Sequence, residues 1–223
     1  MDPPAAQAFA DARNRMVNSQ IRPNKVTDPR IVAAMRQLPR ERFLPPQLAA
    51  RAYADEDVPL GEGRVLMEPA VIARLVQLTA IAAGERALVV AAGTGYGAAL
   101  LAACGARVTA LEESAALQTA ARGVLAELAP SVSLVAGPLA SGWPPGAPYD
   151  VILIEGAVRG IPRAIGEQLH RETGRLVAVL TEGAGTCQAV LAEATAAGLR
   201  PQPMFDCATA PIPSLLPSPG FVF

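Results

Sequence analysis

The chain has 223 residues, 51% hydrophobic and 17% charged, which suits a globular protein with one sizeable core and excludes a disordered or fibrous polypeptide. With 19 basic and 20 acidic residues the formal charge is −1, so the basic footprint of a nucleic-acid binder is missing. Cys104, Cys187 and Cys207 are scattered without metal-ligand spacing, and no apolar run approaches the roughly 18 residues of a membrane span; a reducing, cytoplasmic setting without a disulfide framework, metal site or membrane anchor is expected.

The opening MDPPAAQAFADARNR lacks a basic segment followed by an apolar one, so no signal peptide is expected. Residues 5–20 are predicted as a helix behind Pro3 and Pro4. Thr27-Asp28-Pro29 supplies a capping side chain and a first-turn proline, predicting a helix over 30–38 that stops before Pro39. Arginines gather in this region (Arg13, Arg15, Arg22, Arg30, Arg36, Arg40, Arg42, Arg51); their helical interspersion with apolar residues reads as a solvated helix face. Pro45, Pro46, Pro59, Gly61 and Gly63 mark a loop-rich stretch to Met67. Pro69 then opens a helix to Leu78 with Val71, Ile72, Leu75 and Val76 on its buried stripe.

From residue 86 the pattern alternates. RALVVAA, RVTALE, SVSLVAG, YDVILIEG and GRLVAVL read as five strands, separated by helices in GTGYGAALLAACG, SAALQTAARGVLAEL and PRAIGEQLH. Apolar strands alternating with helices predict a mostly parallel α/β sheet covered on both faces. TCQAVLAEATAAG is locally helical and equally serves as a strand of a terminal hairpin with MFDCATAPI.

Open parallel sheets bind ligands at the carboxyl ends of their strands, near the point where strand order reverses. Gly93, Thr94 and Gly95 occupy such a place, where a tight turn lets the backbone approach a ligand and the next helix offers free N–H groups. Glu112 ends the second strand roughly twenty residues on, at the position of an acid that accepts ribose hydroxyls. A tight turn and a solvated acid are the plain alternatives. His170, the single histidine, has no catalytic partner in the pattern and reads as structural.

Several segments resemble the protein-L-isoaspartate O-methyltransferases. MVNSQIRPNKVTDPRIVAAMRQLPRERFLP is similar to the N-terminal region of that family, AYADEDVPLGEGRVLMEPAVIARLVQL to its substrate loop, LVVAAGTGYGAALLA to its cofactor turn and GAPYDVILIEGAV to its fourth strand. Order and spacing agree from about residue 16 to 180. The resemblance implies a Rossmann-like methyltransferase sheet of seven strands with the last antiparallel, an S-adenosyl-L-methionine cofactor, and an isoaspartyl protein or peptide as acceptor. It also implies N-terminal helices and a substrate loop over residues 1–80, packed on a cofactor-binding core over 81–223 within one structural domain. The expected molecule is a monomer or weak dimer.

The departures fall at the site. Val89 stands where the family carries an acid at the end of its first strand, Ala91 replaces the first glycine of the turn, and Pro138 replaces an acid near the adenine. Met67 stands at the family's serine position, so no catalytic residue is assigned. Glu155, ending the fourth strand beside the first, offers a replacement carboxylate for a cationic cofactor; its plain alternative is a solvent-facing loop acid. Arg64 supplies a possible cationic partner for an acceptor carboxylate. A repair-type carboxyl methyltransferase is therefore expected, against a non-catalytic binding protein that keeps the fold and a less well-fitting nicotinamide oxidoreductase.

Overall fold

The computed structural model describes residues 3–181, 187–195 and 198–216. The first helix, α1 (Pro3–Met16), runs directly into a π-helical turn over Val17–Ile21. Asp28 accepts the Arg30 N–H and caps α2 (Pro29–Gln37), whose Ile31, Ala34 and Met35 are buried. The stretch expected as loop carries more structure: two 3₁₀ segments (Arg40–Phe43 and Pro46–Arg51), then a hairpin of β1 (Val58–Gly61) and β2 (Arg64–Leu66). Its turn residues Gly61, Glu62 and Gly63 all have positive φ. Pro69 opens α3 (Pro69–Leu78) as expected.

The alternating part forms β3 (Arg86–Val90), α4 (Tyr96–Ala103), β4 (Arg107–Glu112), α5 (Ala115–Leu128), β5 (Ser133–Ala136), β6 (Val151–Val158), α6 (Arg163–Gly166), β7 (Arg175–Thr181), β8 (Cys187–Thr195) and β9 (Gly198–Cys207). Ser114 caps α5 by accepting the Leu117 N–H. The strands order as β5-β4-β3-β6-β7-β8-β9, with β3 to β7 parallel. The mostly parallel sheet with a terminal antiparallel hairpin is thus present: β8 runs against β7, and the last strand, β9, pairs antiparallel with β8. The locally helical alternative for residues 187–195 gives way to this pairing, which buries Ala189, Val190 and Ala192. Residue 186, the first of that predicted segment, lies outside the described residues.

Alternate strand residues divide the core. Ala87, Val89, Leu153 and Val177 face one layer with Ile72, Leu75, Leu100 and Leu125 from the helices. Leu88, Val90, Ile152 and Leu176 face the other, with Leu139, Ile165 and Ile212. That second cover is thin, because the helix expected over 162–170 is only α6, four residues long. The chain leaves the helix there so that Leu169 can bridge to Tyr149; His170 consequently lies in a turn, beside Thr173.

Candidate active site

The order of the sheet reverses between β3 and β6, which places the carboxyl ends of these strands at the crevice where α/β sheets bind ligands. Beyond Val90 the chain turns sharply. Ala91 takes φ 61°, Gly93 58° and Gly95 95°, the last as the cap of α4. Ala91 thus holds the left-handed conformation a glycine would adopt freely, at a cost of about 1 kcal/mol. The turn survives the substitution. A side chain at Gly95 would strike Leu125 at 2.8 Å, and one at Gly93 would press on Leu60 of the hairpin at 3.1 Å.

Glu112 lies at the end of β4, wholly buried, and its carboxylate organises the turn. It accepts the Gly93 N–H at 2.8 Å and those of Glu113 and Ser114 at 3.0 Å. The fourth partner is Arg64, whose Nη1 stands 3.1 Å from one carboxylate oxygen and 3.4 Å from the other. Arg64 Nη2 donates to the Ala91 carbonyl, and only 7% of the residue is exposed. Arg64 is therefore a buried ion-pair partner, not the free loop cation expected. Thr94 spends its hydroxyl on the Phe43 carbonyl at 2.7 Å, leaving only its backbone for a ligand.

Glu155 is buried as well, and the solvent-facing alternative is excluded. Burial raises its carboxyl to about 7, against the pull of the Arg64 charge, the Gly97 N–H and the Arg40 charge. A β-carbon on Gly97 would lie 2.6 Å from Glu155 Oε2, so Gly97 is what admits this carboxylate to the start of α4. Among the described residues Oε2 has no hydrogen-bond partner. The structure thus brings Gly93, Glu112 and Arg64 into direct contact and sets Glu155 alongside them.

Arg40 departs from the solvated-face expectation. It is fully buried, donates to the Ala52 and Met67 carbonyls, and stacks 4.8 Å over the Tyr96 ring. Met67 is 1% exposed and its side chain belongs to the core. Nothing in the sequence beyond Gly61 and Gly63 marks the hairpin that covers the turn. An open cavity of about 1400 Å³ lies elsewhere, between Ile161, Leu180 and Leu199. Hairpin residues Leu60 and Arg64 fill the corresponding place over the glycine turn.

Residues 11–198 match the family described as Protein-L-isoaspartate(D-aspartate) O-methyltransferase. The chain belongs to that family. A protein-L-isoaspartate O-methyltransferase of Methylorubrum extorquens (strain PA1) is 44% identical over 168 residues, 75% of this chain and 73% of the relative. One from Koribacter versatilis (strain Ellin345) is 36% identical over 211 residues, 94% of each chain. A solved protein-L-isoaspartate O-methyltransferase superposes with a TM-score of 0.77 at 22% identity, over 90% of this chain and 65% of that one. A Plasmodium falciparum structure in complex with S-adenosyl-L-homocysteine reaches 0.72 at 16% identity, covering 88% and 95%. This chain therefore spans about two thirds of the first solved relative's length. The expected fold and enzyme class, a methyltransferase of the S-adenosylmethionine-dependent kind, stand with that membership.

Proposed function

We propose that the chain binds S-adenosyl-L-methionine at the β3–β6 crevice and transfers its methyl group to the carboxylate of an isoaspartyl residue in a protein or peptide. The observation that carries this reading is the buried Glu112 carboxylate, fixed against the glycine turn at the end of β4. A carboxylate so held suits a ribose hydroxyl, and a crevice with a second buried acid suits a ligand bearing ammonium and sulfonium charges.

When bound, the cofactor supplies an electrophilic methyl group on a sulfonium that leaves as a neutral thioether. Gly93 and Gly95 give the backbone close approach, Glu112 holds the ribose, and Glu155 faces the cationic end in place of the acid missing at Val89. A carboxylate acceptor, with a pKa of about 4, is already ionised at neutral pH, so no general base is required. The work left to the protein is alignment and exclusion of water. Met67 offers no hydroxyl to position the acceptor, so turnover of simple isoaspartyl peptides should be slower than in serine-containing relatives.

A cytoplasmic location belongs to the same proposal. Burial raises the Cys104 and Cys207 thiols to about 11, as suits unreactive structural thiols. Among the described residues no helix is long and apolar enough to cross a membrane.

Calorimetric titration with S-adenosyl-L-homocysteine tests the site. The parent should bind, and Glu112→Gln should weaken binding by roughly tenfold or more through one lost charge-assisted hydrogen bond. Unchanged affinity in Glu112→Gln would remove the ribose assignment.

A further inference from the structure

Arg64 is the only cationic residue between Arg51 and Arg74, in a segment that carries Asp55, Glu56, Asp57, Glu62 and Glu68. An acceptor approaching this loop as an anion meets five acids and one base. That base is turned inward. Its guanidinium lies on Glu112 and on the Ala91 carbonyl, both at the glycine turn. A cation of the protein therefore rests on the carboxylate proposed for the cofactor's ribose.

We propose that Arg64 is the specificity residue for an anionic acceptor, held on Glu112 until the cofactor's ribose takes that carboxylate and frees the guanidinium for the acceptor. This rests on the cofactor assignment above and adds an order to it: donor first, acceptor second. The exchange costs the Ala91 carbonyl its Arg64 donor but leaves Glu112 partnered. Without Arg64, Glu112 still accepts three backbone N–H groups, from Gly93, Glu113 and Ser114, and one ribose hydroxyl would complete it. The released guanidinium presents a planar fork that matches a carboxylate in two parallel bonds, which a methionine or serine at position 67 cannot do. The Arg64 charge also pulls the Glu155 carboxyl toward its ionised form. Its departure is offset there by the cation of the arriving ligand.

The hairpin has the mechanical features the exchange needs. Arg64 begins β2 directly after a turn of three positive-φ residues, and β1–β2 is a separate two-stranded sheet with no ladder to the main one. It is pinned at two points: Gly63 of the turn lies against Pro213, and Asp57, just before β1, accepts the Thr209 hydroxyl and the Ala210 N–H. The Arg64 side chain can turn outward while the hairpin stays anchored.

The test compares the parent with Arg64→Gln and Arg64→Lys. Affinity for S-adenosyl-L-homocysteine is measured by calorimetry, and KM and kcat are measured on an isoaspartyl peptide at saturating cofactor. In Arg64→Gln the competitor for Glu112 is gone, so affinity should rise about fivefold or more, whereas KM should rise about tenfold with kcat changed far less. Arg64→Lys, which keeps the charge without the fork, should fall between. A cooperative thermal melt of each variant separates these effects from misfolding, and misfolding cannot tighten binding. Equal or weaker affinity in both variants, or an unmoved KM, overturns the proposal while leaving the cofactor assignment intact. Failure of the parent to bind S-adenosyl-L-homocysteine at all overturns both.

Discussion

A carboxyl group sealed against the start of a helix, as Glu155 is, opposes folding whenever it is ionised. Its folded-state value of about 7 lies above the ordinary 4.5, so the folded chain holds the proton more tightly than the unfolded one. The stability this gives is whole below about pH 4.5 and is lost as the pH rises through about 7. Glu155→Gln should therefore stabilise the protein at pH 8 by about 1–3 kcal/mol and change little at pH 5, measured by urea unfolding at both. The same variant should weaken binding of S-adenosyl-L-homocysteine about tenfold at pH 8. A variant equally stable with the parent at pH 8 would show the carboxyl is not desolvated. Ala91 gives a second residue-level test: Ala91→Val should cost more than about 2 kcal/mol, because a β-branched residue resists positive φ, while Ala91→Gly should cost under about 1. Equal losses would mean Ala91 is limited by packing and not by its backbone.

At the scale of elements, helices with capping signals were legible and irregular covers were not. Asp28 with Pro29, and Pro69, each mark a helix start that the structure keeps. The β1–β2 hairpin escaped because its strands have only four and three residues, too short for a two-residue period to show. The helix expected after Pro162 was over-read, since a bridge between Leu169 and Tyr149 outweighs local propensity. Arg40 was misread for a related reason: periodicity cannot show that a guanidinium is stacked on an aromatic ring and spent on two carbonyls. Met67 shows the other side of this. The alignment of its loop was visible, but not that its side chain packs in the core. Met67→Ser should therefore lose about 2–4 kcal/mol in urea unfolding, through the cavity left and the hydroxyl buried. A loss below about 0.5 kcal/mol would place the side chain outside the core.

At the scale of the molecule, the five parallel strands were readable because each is a short apolar run flanked by helix signals. Their order decides function: only with β6 beside β3 does Glu155 stand near the glycine turn that Glu112 organises. Sequence spacing put Glu112 and Glu155 at strand ends; Glu112 does end β4, whereas β6 runs on past Glu155 to Val158. Spacing could not show that Arg64, separated from Glu112 by 48 positions, closes on it. Whether this assembly moves a methyl group is the central question of its function. Incubation with S-adenosylmethionine labelled on its methyl carbon, an isoaspartyl peptide and its aspartyl counterpart tests that directly. The account predicts a base-labile labelled methyl ester on the isoaspartyl peptide alone, formed in step with S-adenosyl-L-homocysteine. A protein that binds S-adenosyl-L-homocysteine yet labels neither peptide would contradict it.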